Sequence, residues 1–598
     1  MAEQPQQDIK QPDPKELSRA VANIAEKSQR LMADFMSRQA QEPGLGMGDP
    51  LNIGQAFVEM MGQLMTNPAR LAEAQMNLWN DYMRLWQNTA QRMLGEETAP
   101  LVAPDPSDRR FKDDAWQTNE VFDYIKQSYL LTARWVQSVV GSVEGLDEKT
   151  ARKVDFYTRQ FVDAMAPTNF AMTNPEVLRA TAESGGENLL KGLDNLLSDI
   201  ERGKGKLAIS MTDTEAFKIG QNIAATPGKV VYQNDLIQLI QYDPSTPQVL
   251  ARPLMVIPPW INKYYILDLK PKNSFVKWAV DQGHTVFMLS WVNPDEKLAG
   301  KSFADYMKEG PLAALEVILK ITGEKQINAI GYCLGGTLLA TMLAYMAAKK
   351  DHRIATATYF TTMVDFDEAG ELEVFIDEEQ IAALEDRMNK RGFLEGHEMA
   401  TTFNMLRAND LIWSFVINNY LLGKEPFPFD LLFWNSDSTR MPAAMHSYYL
   451  RNMYQNNKLI EPGGLVIDKV PIDLAKIDLP TYILATREDH IAPWKSAFAG
   501  TRAYSGPVRF VLAASGHIAG VVNPPASNKY CHWTNAKKAA TPDAWLASAQ
   551  QVDGSWWPDW HAWISKQDAK KVKARTPGGG KVKPIEEAPG SYVQLRLM

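Results

Sequence analysis

The apolar positions of this chain follow two different rhythms. Through the first two hundred residues they recur at helical spacing. Between 17 and 39 they fall at Val21, Ile24, Leu31 and Phe35, and between 69 and 94 at Leu71, Leu78, Tyr82, Leu85 and Trp86. A third helix is predicted from Asn119, with Phe122, Ile125, Tyr129 and Val136 in step, and a fourth near 148–165, stopping before Pro167. Asn174-Pro175 opens a fifth, because proline suits a first helical turn. Gly185-Gly186 interrupts it before a last run over 189–200. The stretches 44–50 and 100–107 read as loops, and the polar, Pro/Gln-rich residues 1–15 as disordered. Region 1–206 is therefore expected to be an all-helical N-terminal domain.

Near Leu207 the pattern changes to short β-rich runs. The stretches 229–233 and 236–242 flank Asn234-Asp235 and predict a hairpin. Buried strands are expected at 254–257, 285–291, 326–330 and 355–361, and again at 482–485 and 508–513, with helical patterns between several of them. Strands alternating with helices predict a largely parallel α/β sheet over 207–598. Residues 362–440 do not read as βα units, and an insertion of that size between sheet strands is expected to form a cap over a site. The tail beyond Ile564 is basic, then Pro/Gly-rich over 576–581, and is expected to be loosely held.

Composition narrows the classes. The chain has 598 residues, a formal charge of −8 and 45% apolar residues, so it can bury a large core and is unsuited to nucleic acid as its main partner. Its two cysteines, Cys333 and Cys531, give neither a disulfide framework nor a cysteine-based zinc site, and fit a reducing cytosol. No signal peptide or transmembrane stretch is expected. Sixteen Trp and 26 Met are mostly core, with room left for contact with something greasy.

The chemistry centres on Gly331-Tyr332-Cys333-Leu334-Gly335-Gly336, a glycine-flanked turn between a buried run and a helical one. That is the context of a nucleophile elbow, here with a thiol as the exposed side chain. A free cysteine is otherwise a small core residue, so partners matter. Asp489 and His517 each follow directly on an expected strand. The order nucleophile, acid, histidine is that of the α/β-hydrolase fold. His490 is read as supporting the loop of Asp489, and Cys531, beside His532, as structural. The oxyanion donors would be the Leu334 N–H and one from 259–262, with Ile261 the candidate. Cysteine suits acyl transfer from a thioester to a hydroxyl: the acyl group on sulfur stays a thioester and keeps its transfer potential until an alcohol attacks.

At these residues the chain resembles the class I, single-subunit polyhydroxyalkanoate synthases. The likeness runs from about residue 100 to the end and includes 258–268, Ser290-Trp291-Val292-Asn293-Pro294, 407–413, Trp434-Asn435-Ser436-Asp437, Glu488-Asp489-His490-Ile491, 515–520, and Phe111-Lys112-Asp113-Asp114-Ala115-Trp116. The resemblance implies polymerisation of (R)-3-hydroxyacyl-CoA, typically 3-hydroxybutyryl-CoA, with release of CoA and no cofactor or metal. It implies that Cys333 carries the growing chain, that His517 is its general base, and that Asp489 either orients His517 or helps activate the attacking 3-hydroxyl. It further implies a homodimer in the cytoplasm on polyester granules, with a cap gating substrate entry. The rival readings are a cysteine hydrolase or thioesterase on the same fold, and a granule-coating scaffold with a vestigial elbow.

Overall fold

Among the described residues before 213, four helices start by the same device, a short polar side chain that accepts from otherwise unsatisfied N–H groups; Asn67 does so for Pro68–Met93 through Arg70. Asn119 caps Glu120–Gly141 through Val121 and Phe122, Asp147 caps Glu148–Ala164 through Lys149 and Thr150, and Asn174 caps Pro175–Ser184 through Glu176 and Val177. Each such cap contributes about 1 kcal/mol. Gly185 and Gly186, both left-handed, then turn the chain into Glu187–Arg202. The long helix Pro68–Met93 is present, and Ile53–Met65 precedes it where no helix was expected.

These features belong to a computed structural model, which describes residues 19, 22–31 and 53–596. The helix expected over 17–39 is seen over 22–31. The rest of that span, the disorder expected over 1–15 and the loop over 44–50 lie outside the described residues. Among the described residues no helix is long and apolar enough to cross a membrane.

Two compact units divide the chain. The first comprises the described residues up to Asp213 together with Phe403–Phe427; the second is Thr214–Thr402 with Pro428 onward. The boundary therefore falls at 213 rather than 206, and part of the 362–440 segment belongs with the helical region. The reason is visible along Glu187–Arg202. Asn188 donates to the Leu421 carbonyl at 2.8 Å, and the Tyr420 hydroxyl donates to buried Asp199 at 2.5 Å. At Gly192 a Cβ would lie 1.8 Å from the Tyr420 carbonyl oxygen, so only glycine lets the two segments meet.

The second unit is built on one eleven-stranded sheet. Its strands in chain order are β1 Gly228–Gln233, β2 Ile237–Tyr242, β3 Leu254–Ile257, β4 Val286–Trp291, β5 Ile327–Tyr332 and β6 Ile354–Phe360. They continue with β7 Thr481–Thr486, β8 Val508–Ala513, β9 Cys531–Thr534, β10 Gln550–Asp553 and β11 Glu586–Glu587. The spatial order is β10-β9-β8-β7-β6-β5-β3-β4-β2-β1-β11. The six strands from β4 to β8 across the middle are parallel, and the flanking ones antiparallel. The β1–β2 hairpin turns on Asn234, whose side chain accepts from Leu236 and Ile237.

Alternation decides the two faces. In β3, Met255 and Ile257 enter one apolar layer while Leu254 and Val256 enter the other. The helix Leu334–Ala348 is apolar all round and buried on every side through Met346. A helix of that kind belongs in a core.

The connection between β6 and β7 runs from 361 to 480, longer than the 362–440 expected, because helix Ala443–Tyr449 and its continuation Leu450–Gln455 extend it. The tail departs from expectation more sharply. Lys571–Lys573 pairs with Gln248–Leu250, Arg575 donates to the Ala251 carbonyl, Ile585 donates to Val230, and Val593 is fully buried. Its basic, glycine-rich composition hid backbone hydrogen bonds that tie it to the sheet.

Candidate active site

The elbow is made by crowding. Cys333 sits between β5 and helix Leu334–Ala348 at φ 51°, ψ −118°, a conformation that non-glycine residues rarely adopt and that turns the side chain outward. Around it there is no room for side chains. A Cβ on Gly331 would lie 2.4 Å from Gly336 Cα, and one on Gly335 would lie 2.1 Å from the Ile257 carbonyl oxygen. The Cys333 N–H donates to the Phe360 carbonyl at 2.9 Å, which locks the turn to β6.

Asp489 and His517 follow the carboxyl ends of β7 and β8; β7 lies beside β6 in the sheet and β8 beside β7. The two loops continue the strand ladder, with Arg487 donating to Ala513 and Glu488 to Ser515. Ser515, at φ 78°, bends the chain toward His517. His517 Nδ1 lies 2.7 Å from Asp489 Oδ2, with both side chains buried. The other Asp489 oxygen accepts from the Ile491 and Ala492 N–H groups at 2.9 Å each, and Thr486 donates to Oδ2 at 3.2 Å. That set fixes the carboxylate.

Burial by itself would discharge His517. The negative charges of Asp489 and Cys333, with hydrogen bonds to both, outweigh burial and push its pKa up to about 10. Cys333 thus faces the imidazole whose opposite edge Asp489 holds.

Leu334 is the first residue of its helix, so its N–H has no intrahelical acceptor. Ile261 lies in the loop after β3, and the carbonyls at that loop's start touch the helix start at Gly335. The loop is heavily anchored. Pro258 O accepts from Trp291 Nε1 at 2.9 Å, Trp260 O from Thr439 Oγ1 at 2.7 Å, and Lys263 O from Trp434 Nε1 at 2.7 Å.

A family model described as "Poly-beta-hydroxybutyrate polymerase (PhaC) N-terminus" matches residues 107–279, and one for the alpha/beta hydrolase fold matches 253–524. The poly(3-hydroxyalkanoate) polymerase subunit PhaC of Rhizobium meliloti is 48% identical over 586 residues, covering 98% of this chain and 96% of that one. The Rhizobium etli subunit is 49% identical, with 97% and 91% covered, and the Methylorubrum extorquens poly(3-hydroxyalkanoate) polymerase 51% identical, with 89% and 88% covered.

The chain belongs to the poly(3-hydroxyalkanoate) polymerase family. It is an acyltransferase with an α/β-hydrolase catalytic unit.

For this polymerase, sequence reasoning missed the residues that dress the site. Tyr332 stacks on the His517 ring with centroids 5.8 Å apart. Tyr449 and Tyr454 come from the far end of the β6–β7 connection; burial raises the pKa of both hydroxyls, and the charge of Cys333 raises them further. Thr362 Oγ1 reaches the Cys333 carbonyl at 3.3 Å. Only Tyr332 carried a signal, since it lies inside the elbow motif; the others come together through tertiary contacts. Cys531 and His532 sit on β9, where His532 is paired with the Gly554 carbonyl. Among the described residues no group of three or more His, Cys, Asp and Glu side chains is arranged to hold a metal ion.

Proposed function

We propose that this enzyme polymerises (R)-3-hydroxyacyl-CoA, with (R)-3-hydroxybutyryl-CoA as its monomer, through an acyl thioester on Cys333, and needs no cofactor. The observation that carries the reading is the strained, outward-turned Cys333 beside an imidazole held at 2.7 Å by Asp489. The relatives' names support the polyester product.

His517 takes the Cys333 proton, and the thiolate attacks the thioester carbonyl of the substrate. The oxyanion is met by the N–H groups of Leu334 and Ile261. As the tetrahedral adduct collapses, the carbon–sulfur bond to CoA breaks, and His517 returns the proton to the departing CoA thiolate. The 3-hydroxyl of a second, CoA-bound acyl group then passes its proton to His517 and attacks the acyl-Cys333 carbonyl; the carbon–sulfur bond to Cys333 breaks, an oxoester forms, and the lengthened chain, still a CoA thioester, is taken back by the freed Cys333 thiolate with release of CoA. Exchange of thioester for thioester is near neutral; the oxoester step runs downhill. Asp489 orients His517 or helps activate that hydroxyl. The enzyme works as a homodimer in the cytoplasm at the surface of the polyester granule.

The test mixes the full chain with (R)-3-hydroxybutyryl-CoA and follows thiol release and turbidity together, with Cys333→Ala alongside. CoA release with insoluble polyester, absent in the variant, is expected. Free 3-hydroxybutyrate without polyester makes the protein a hydrolase instead, and polyester binding without CoA release makes it a scaffold.

A further inference from the structure

Between the Pro258 and Lys263 carbonyls the loop after β3 is fastened at intervals, and the last fastening is unusual. Lys263 is 3% exposed, yet its ammonium group ends on backbone carbonyls, donating to Leu595 O at 2.7 Å and Val593 O at 3.3 Å. A second buried ionic group stands beside it. Asp437 is 1% exposed, accepts from the Tyr265 hydroxyl at 2.8 Å, and has Arg596 Nε 3.8 Å from its other oxygen. The same stretch, 434–439, grips the loop through Trp434 to Lys263 O, the bridge of Ser438 with Asn262, and Thr439 to Trp260 O. Ile261 lies in the middle of these grips.

A buried lysine and aspartate are a poor choice for stability alone, because apolar residues of similar volume serve as well or better. What they supply is direction: an ammonium meeting two carbonyls fixes where its backbone lies. Burial lowers the pKa of the Lys263 ammonium and the charge of Asp437 works against that, so the two groups are felt mutually.

We propose that Lys263, with Tyr265 and Asp437, is a positioning residue that sets the loop so that the Ile261 N–H points at the developing oxyanion, using the terminal segment 593–596 as its strap. This rests on the Cys333 acyl-transfer reading given above.

The experiment compares two reactions of the same thiol in the full chain. Acylation by (R)-3-hydroxybutyryl-CoA develops an oxyanion; alkylation of Cys333 by iodoacetamide, a displacement at saturated carbon, does not. In Lys263→Met, kcat for CoA release is expected to fall about ten- to a hundred-fold, with the alkylation rate within about two-fold of wild type. Tyr265→Phe, which removes only a hydroxyl, is expected to show the same split at smaller size, and decides the matter if Lys263→Met does not fold. Unchanged CoA release in the variants overturns the proposal, as does a parallel fall in both rates. A wild type whose activity survives complete alkylation of Cys333 refutes the acyl-transfer reading itself, and the positioning role falls with it.

Discussion

His517 Nδ1 lies 2.7 Å from Asp489 Oδ2, and Asp489 spends its other oxygen on the N–H groups of Ile491 and Ala492. The carboxylate is thus fixed by its own loop before it meets the imidazole. Its orientation is a property of the turn after β7 and does not require substrate.

Asp489→Asn keeps an oxygen for the loop N–H groups while removing the charge that holds His517. The fold should survive and steady-state CoA release should drop by about three to four orders of magnitude. Rapid-quench measurement separates the two roles open to Asp489. If it orients His517, the first CoA released per enzyme slows as much as turnover. If it activates the 3-hydroxyl, that first release stays fast and only elongation slows.

The pH dependence of stability follows from His517. Its pKa in the folded chain, about 10, exceeds the ordinary value of 6.5, so the charged form is favoured by folding. The stabilisation is complete below about pH 6.5, declines as the unfolded chain loses its proton, and is gone above about pH 10. Thermal unfolding of wild type and His517→Gln should therefore differ most near neutrality and below, and converge as pH rises through 10. Alkylation of Cys333 removes one of the charges responsible and should move the convergence to lower pH.

Gly335→Ala tests the crowding at the elbow. Its Cβ would lie 2.1 Å from the Ile257 carbonyl oxygen and 2.8 Å from that of Pro258, and both are backbone atoms that cannot swing aside. A loss of about 1–3 kcal/mol or more is expected in urea unfolding. CoA release should fall in the protein that remains folded, since the helix start and the loop after β3 are forced apart.

Gly192→Ala addresses the helical unit. The new methyl would strike the Tyr420 carbonyl, so Phe403–Phe427 should loosen from helix Glu187–Arg202. Hydrogen exchange is expected to rise across 403–427 while Glu120–Gly141 and Glu148–Ala164 keep their protection. Equal deprotection of all three would show that the segment is not held separately.

What the sequence made legible was local. The capped helices at Asn119 and Asn174, the central strands and the glycine-framed Cys333 each carry their signal within a few residues. The outlying strands β9, β10 and β11 did not show, because they are short and carry few buried positions, without apolar alternation. The fastening of Ile261 was illegible for another reason: its anchors, Trp434 and Thr439, are some 170 residues away and act on backbone carbonyls that no side-chain pattern reports.

The central claim is a growing chain on one sulfur. The direct measurement is acid quenching of the enzyme during turnover of (R)-3-hydroxybutyryl-CoA, followed by peptide mass spectrometry. Hydroxybutyryl units, singly and in short runs, are expected on the peptide carrying Cys333, bound through a hydroxylamine-labile thioester. Polyester formed while that peptide stays unmodified, or a chain attached at Cys531, would contradict that claim.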